Sequence, residues 1–186
     1  MGKTYDAITD EIANFIRGQH VFFVATAPLN GGGHVNVSPK GLATFAILDP
    51  LCVAYQDFSG SGAETIAHVR ENGRITIMFC AFEGRPLIVR LYGEGHVVES
   101  GTEAFIELNR HFSPKPGVRA IIRVDITRIQ DSCGFGVPLY DFVEPRDTLQ
   151  KWIERKGEQG LAEYRQEKNM KSIDGLPALT TSGDSS

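Results

Sequence analysis

The sequence predicts a mainly β protein in which antiparallel strands form a barrel or a sandwich. The clearest observation is the run 118–129, where apolar and polar side chains alternate. Such alternation is typical of an antiparallel sheet with one face in the core. Other strand-like runs follow one another with short turns and few intervening helices. This order favours a barrel or sandwich over a doubly wound parallel sheet.

The elements can be assigned in order along the chain. Residues 6–18 carry apolar side chains at helical spacing and end at Gly18, which predicts a short amphipathic helix. Residues 20–27 form a dense β-branched and aromatic run, typical of a buried strand. The other predicted strands are residues 34–39, 42–47, 51–56, 74–81, 86–98 and 118–129. Short helices are predicted at 63–72 and 102–112, a charged helical tail at 146–170, and a frayed end at 180–186.

Residues 30–33, Asn-Gly-Gly-Gly, lie between the first two predicted strands. Glycine accepts the positive φ angles of hairpin turns, so we interpret this run as a turn. A phosphate-binding loop is the sharper alternative. It is disfavoured because no helix follows to contribute its dipole.

The composition excludes several classes of protein. The chain has 186 residues, a length typical of one domain, and its 41% of hydrophobic residues suffices for an ordinary core. The formal charge of −4 disfavours a nucleic-acid partner, because phosphate backbones require a basic face. No run approaches the ~18 consecutive apolar residues of a membrane span, and the N-terminus lacks the apolar region of a signal peptide. We therefore expect a cytoplasmic protein with no membrane partner.

Three cysteines and five histidines are scattered along the chain without the spacing of a metal site or a disulfide framework. We expect reduced, mostly buried thiols and no bound metal. His68 and Cys133 could approach a ligand, although a structural role is the simpler interpretation.

Residues 53–79 contain the most informative pattern. A strand ends near Asp57, a Ser-Gly-Ser-Gly loop follows at 59–62, and a helix begins immediately after it. The free N–H groups and the dipole of a helix N-terminus attract anions. A phosphate group could therefore contact Ser59, Ser61, Gly62 and Thr65. The alternative is that Ser61 or Thr65 only caps the helix.

A second pattern is His-Val-Asn-Val-Ser-Pro-Lys-Gly at 34–41. Pro39 ends regular strand hydrogen bonding, so this backbone edge could meet a planar heterocycle while Lys40 reaches an anion. The simpler interpretation is an edge strand protected by its proline and lysine.

Together these motifs resemble a known family. They are N-V-S-P-K-G at 36–41, Y-x-D-x-S-G-S-G-x-E-T at 55–65, N-G-R-I-T-I-M-F at 72–79 and I-V-R-L-Y-G-E-G at 88–95. Their order resembles the pyridoxamine 5′-phosphate oxidase-like, FMN-binding split-barrel superfamily over about residues 8–130. The residues from 132 onward resemble a subgroup usually left without an assigned substrate. The resemblance implies a split-barrel domain at 1–130 and a C-terminal extension at 131–186.

The resemblance also implies a six-stranded antiparallel barrel that forms a homodimer with two FMN molecules at the interface. Arg119, Arg123 and the segment 132–138 are candidates for that interface. The flavin-lining strand of the family corresponds to Ser38, Pro39 and Lys40. Its phosphate region corresponds to Tyr55, Asp57, Ser59, Ser61, Gly62 and Thr65, and its strand arginine to Arg90.

The sequence departs from the true oxidase at several positions. Gly62 and Ala63 stand where the oxidase has an Arg-Lys pair, so the phosphate charge would fall to Lys40, to Arg74 or to the helix dipole. Ile88 replaces a flavin-contacting glutamine, and the oxidase's C-terminal tryptophan and Arg-x-His motif are missing. We therefore do not expect pyridoxamine phosphate as the substrate.

Three functions follow from the resemblance. The first is an FMN-dependent oxidoreductase acting on an unknown small organic molecule. The second is a flavin- or haem-binding protein without turnover, for storage, sensing or haem handling. The third uses a deazaflavin as cosubstrate, which would require a more basic groove than an acidic chain offers. No side chain has to act as a nucleophile in any of them.

Overall fold

A computed structural model describes residues 2–180 as eight strands and four helices. The strands are β1 (Thr4–Tyr5), β2 (Phe22–Thr26), β3 (Asn36–Lys40), β4 (Phe45–Asp49), β5 (Cys52–Phe58), β6 (Arg74–Cys80), β7 (Ile88–Glu99) and β8 (Val118–Ser132). The helices are α1 (Asp10–Arg17), α2 (Glu64–Asn72), α3 (Glu103–Asn109) and α4 (Thr148–Lys168). Each predicted element is present with shifted ends. Apart from Thr180, the expected frayed end lies outside the described residues.

The strands form one antiparallel sheet in the order β3-β2-β6-β7-β8-β5-β4, and β1 pairs with the far end of β8. The mainly β class is confirmed, but the strand count is eight rather than six, partly because two-residue β1 adds to the sheet. The sheet curls until β2, the second strand from one edge, meets the edge strand β4 across the barrel. Phe22 of β2 packs edge-on against Phe45 of β4, with ring centroids 5.1 Å apart. Side chains rather than backbone hydrogen bonds therefore close the barrel.

Alternating side chains of the strands fill the barrel. Ile75, Ile77 and Phe79 of β6 point inward, and so do Val89 and Leu91 of β7. Helix α1 covers one end of the barrel with Ile12 and Ile16. Burial of each large apolar side chain contributes about 1.5–3 kcal/mol. These residues form the main core.

The start of β8 departs from simple alternation. Its first five residues are all buried, because α3 covers the outer face of the sheet at this point. Ile121 packs there with Ala54 and Phe112. Arg119, expected at a subunit interface, is instead buried inside the chain.

The C-terminal residues pack back onto the barrel. Helix α4 is broken at Gly157, and its Ile153 and Leu161 are buried. Residues 169–180 then continue across the barrel surface and place Ala178 and Leu179 in the main core. None of the helices formed by residues 2–180 has the length and apolar character needed to cross a bilayer.

Candidate functional site

A buried ion-pair cluster centres on Asp57, near the end of β5. Lys40 Nζ lies 2.8 Å from Asp57 Oδ1, and Arg119 Nε lies 2.8 Å from Oδ2. The Asp57 side chain is fully buried, and that of Arg119 is 5% exposed. Three strands therefore converge here: β3 contributes its last residue, β5 the carboxylate and β8 the guanidinium.

The charges of this cluster determine the protonation state of Asp57. Burial alone would raise the pKa of the carboxyl, since it penalises the charged form. Lys40 and Arg119 outweigh burial and hold the pKa below its usual range. Asp57 is thus an anion at neutral pH that fixes two cations beside the 59–62 loop.

Among residues 2–180, four hydrogen bonds that involve side chains hold the 59–62 loop, besides the backbone bond from Ser59 N to Gly117 O. Ser59 donates its hydroxyl to Gly117 O and accepts one from Arg165 Nε at 2.7 Å. Asn169 donates to Gly60 O, and Arg119 Nη2 donates to Gly62 O at 2.8 Å. The Ser59 hydroxyl is therefore occupied by protein partners, whereas Ser61 is exposed.

The N-terminus of α2 follows directly after the loop. Its capping residue is Ala63, and within residues 2–180 no side chain caps its N–H groups. The alternative interpretation of the sequence, in which Ser61 or Thr65 only caps the helix, is therefore wrong. Thr65 is buried and accepts a hydrogen bond from Asn36 Nδ2 at 2.9 Å. The positive end of the α2 dipole therefore faces the loop without a capping group.

Two arginines lie close together at this point. Burial lowers the pKa of Arg165, and the charge of Arg119 lowers it further. Arg119 Nη1 is buried and has no hydrogen-bond partner among residues 2–180. Glu64 is the nearest additional acid, and its Oε1 accepts from Ile173 N. Three positive charges, on Lys40, Arg119 and Arg165, face the two negative charges of Asp57 and Glu64. The site therefore retains one excess positive charge, which suits an anion.

A chain of polar side chains connects β3 to α2. Ser38 donates to Asn36 Oδ1, and Asn36 donates to Thr26 as well as to Thr65. Thr26 Oγ1 in turn lies 3.0 Å from His68 Nδ1. His68 is buried, and burial lowers its pKa, which favours the neutral imidazole. His68 thus has a structural role within this network.

Most of the predicted site residues are brought together, but two are not. Lys40 lies opposite Phe22 on the inner face of the sheet. The outer face carries a row of side chains that pair across four neighbouring strands: Pro39, Phe23, Met78 and Arg90. Arg90 donates to Ser132 Oγ there. In one chain, Pro39 and Arg90 therefore lie on the other side of the sheet from the anion cluster, which we define as Lys40, Asp57, Arg119, Arg165 and the start of α2.

Of the two cations expected near the loop from the sequence, Lys40 lies in the anion cluster and Arg74 does not. Arg74 follows the opposite end of α2 and donates to Pro28 O. Arg119 and Arg165 take its place, and neither was among the predicted phosphate contacts. Arg119 had one signal, a charge within an otherwise buried alternating strand. Arg165 lies in a charged helix and has no local signal at all.

Comparison with known proteins identifies the family to which this geometry belongs. The sequence profile of pyridoxamine 5′-phosphate oxidase matches residues 8–133. The pyridoxamine 5′-phosphate oxidase family protein ustO of Aspergillus flavus is 43% identical over 192 aligned positions, covering 94% of this chain and 77% of ustO. The chain belongs to the pyridoxamine 5′-phosphate oxidase family.

Solved structures of similar fold agree with this membership in the pyridoxamine 5′-phosphate oxidase family. HupZ of Group A Streptococcus has a TM-score of 0.53 and 25% identity, covering 67% of this chain and 99% of that one. A protein of Mesorhizobium loti described as FAD-binding has a TM-score of 0.50 and 14% identity, covering 70% of this chain and 95% of its own. The second likeness shows the fold alone. The split-barrel class expected from the sequence is confirmed.

Proposed function

We propose that this member of the pyridoxamine 5′-phosphate oxidase family binds FMN and uses it to oxidise or reduce a small organic molecule. The observation that carries the proposal is the buried Arg119, whose Nη1 has no acceptor among residues 2–180. A buried donor without a partner costs free energy, and more so on a charged group. A phosphate oxygen of FMN would satisfy it with a charge-assisted hydrogen bond.

The phosphate would be held by residues of the anion cluster. Arg119 and Arg165 supply guanidinium groups, and the uncapped start of α2 supplies N–H groups and its dipole. Ser61 is exposed and Gly62 is half-buried in the loop that leads into α2, so both could contact the same phosphate. Ser59 would not contact the phosphate itself but would orient Arg165 through its hydrogen bond. These groups would replace the Arg-Lys pair that the family's oxidase has after its serine.

FMN supplies two-electron chemistry when bound, which no side chain of this cluster provides. The chain's own contribution is to position and to shield. Asp57 holds Lys40 Nζ in place at the last residue of β3. There the cation would meet electron-rich atoms of the flavin ring. Pro39 and Arg90 lie on the outer face, so they would contact a flavin bound between two copies. We therefore also propose a homodimer; the cytoplasmic location stays a prediction.

The phosphate site is tested by titrating the purified protein with FMN and with riboflavin, which lacks the phosphate. Quenching of flavin fluorescence reports binding. We expect FMN to bind at least about tenfold more tightly than riboflavin, the effect of one or more charge-assisted hydrogen bonds. Equal affinities would exclude the anion cluster as the phosphate site. Absence of binding by both would exclude the cofactor.

Turnover is tested by an anaerobic absorbance spectrum of the FMN complex. Flavin bands near roughly 370 and 450 nm are expected for a protein-bound flavin. Bleaching by NADPH or NADH, with recovery after an acceptor is added, supports an oxidoreductase. Bands that neither nucleotide bleaches favour the alternative, a flavin-binding protein without turnover. A Soret band in the protein as purified would indicate haem.

A further inference from the structure

A large cleft opens beside the anion cluster, with a volume of about 1310 Å³. Its walls are the end of α1, the β3–β4 turn, the segment 111–116 and the first turns of α4 together with the residues before them. Lys40 belongs to both the cleft and the anion cluster, so the two are contiguous. Ligand pockets usually measure about 300–1,000 Å³, so this cleft has room for a ring system beside a cofactor.

Aromatic side chains form the apolar part of the cleft. Phe22, Phe45, Phe58 and Phe79 line it. Phe45 and Phe79 pack edge to face, with ring centroids 5.0 Å apart and an interplanar angle of 80°. Phe22 and Phe79 are buried behind this surface, and the half-buried Phe45 and Phe58 are the rings that a planar molecule can touch. The apolar part therefore suits an aromatic ring.

The polar part of the cleft is positively charged, although the whole chain carries −4. Arg17, Lys115 and Arg146 line it, and none of them forms an ion pair with a carboxylate of residues 2–180. The single lining acid, Asp147, is paired with Lys151 at 2.6 Å. Lys115 Nζ donates to Ala43 O, and burial lowers its pKa. These cations are available to an anion.

We propose that this cleft binds a planar aromatic molecule carrying one acidic group, with the ring among the phenylalanines and the acid at Lys115 and Arg146. The claim that this aromatic acid exchanges electrons with FMN rests on the proposed function. The claim that the cleft binds aromatic acids is independent of it. Carboxylate and sulfonate share the chemistry that these two cations recognise.

The test compares two probes of equal shape, 2-naphthoate and 2-naphthamide, by calorimetric titration of the full chain. We expect the anion to bind at least about tenfold more tightly than the neutral amide, since it alone forms charge-assisted hydrogen bonds. Lys115→Gln should remove most of that preference and leave the affinity for the amide unchanged. Lys168→Gln, which removes an exposed lysine at the end of α4, is the matched control and should keep the preference.

Equal affinity for the two probes, or no binding of either at about 1 mM, would overturn the proposal. Arg146→Gln provides a second variant if Lys115→Gln does not fold. Repeating the titration with FMN present separates this inference from the proposed function. If FMN displaces naphthoate one for one, the cleft is the flavin's own site and the proposal is wrong. If FMN does not bind at all, the proposed function fails while the two probes still decide whether the cleft binds aromatic acids.

Discussion

Arg165 donates to Ser59 from a position 106 residues further along the chain, and with the Asn169–Gly60 hydrogen bond it joins the C-terminal extension to the candidate site. We expect Arg165→Gln to weaken FMN binding by about tenfold or more, because a charge-assisted hydrogen bond is lost. Riboflavin binding should not change. The ratio of the two dissociation constants is therefore the measurement.

Two variants of the same helix control that prediction. Arg155→Gln removes an exposed arginine of α4 and should leave the ratio as in the wild type. Arg165→Lys keeps the charge without the planar fork and should recover part of the loss. A proportional loss of FMN and riboflavin affinity in Arg165→Gln would show that Arg165 only supports the fold.

Asp57 determines how the site responds to acid. Its folded-state pKa lies below that of the unfolded chain, so its ionised form contributes stability above about pH 4. That contribution is lost as pH falls through the folded-state value. Asp57→Asn should lower the free energy of unfolding at pH 7 by about 3 kcal/mol or more, since it leaves Lys40 and Arg119 without a counter-charge. Urea unfolding measured from pH 7 into the acid range checks both statements.

The variant Asp57→Asn should also lose less stability on acidification than the wild type, because the titrating group is gone. Asp6→Asn, at an exposed aspartate, should follow the wild-type curve. Parallel acid profiles for Asp57→Asn and the wild type would contradict the assigned role of the carboxylate.

How far the sequence predicts the site depends on sequence distance. Lys40, Asp57 and Thr65 stand in compact motifs, and the structure gathers them where the strand and the loop meet. Asn36 lies inside one of those motifs, yet its bonds to Thr26 and Thr65 depend on strand register. Arg165 depends on how α4 docks, which no local pattern determines. Short-range chemistry was predictable, and long-range docking was not.

At the scale of elements, Gly157 determines the course of α4. Its φ of 63° and ψ of 178° lie in a region that is essentially restricted to glycine. Gly157→Ala should therefore lower the free energy of unfolding by about 1–3 kcal/mol, even though the new Cβ would meet no atom within 4 Å. Chemical denaturation monitored by circular dichroism measures the change.

Gly160, three residues further along α4, provides the matched control. It has helical surroundings, and a Cβ there would make ordinary contact with Lys156 Cδ at 3.4 Å. Gly160→Ala should raise stability by about 0.5–1 kcal/mol, the difference in helix propensity. If both variants change the free energy of unfolding in the same direction, the non-helical conformation of Gly157 does not account for the effect of Gly157→Ala.

The elements themselves followed from periodicity wherever one face meets the core. Strand β8 was predicted for that reason, from the alternation of residues 118–129. The outer face of β8 was expected to meet solvent or an interface, but α3 buries its first residues there. Only the packing of one element on another reveals such a second buried face.

At the scale of the whole molecule, the segment 134–147 presents an apolar surface. It forms neither helix nor strand, and Phe135 and Val143 are 82% and 87% exposed. Leu139, Tyr140 and Phe142 lie exposed between them. Monomeric proteins rarely expose large apolar patches, so we propose that a second copy of the chain covers the segment 134–147. This surface is the second observation, after Arg90, that supports the homodimer.

We expect the wild type to sediment as a dimer at micromolar concentration and Val143→Glu to sediment as a folded monomer, because the dimer would bury a charge. Ile106→Glu, at an exposed isoleucine of α3 outside the segment, should remain dimeric. Unchanged circular dichroism separates dissociation from unfolding. A monomeric wild type would rule out the homodimer. A dimeric Val143→Glu would instead place the interface elsewhere, and Pro39 and Arg90 on the outer face of the sheet would then be the next positions to substitute.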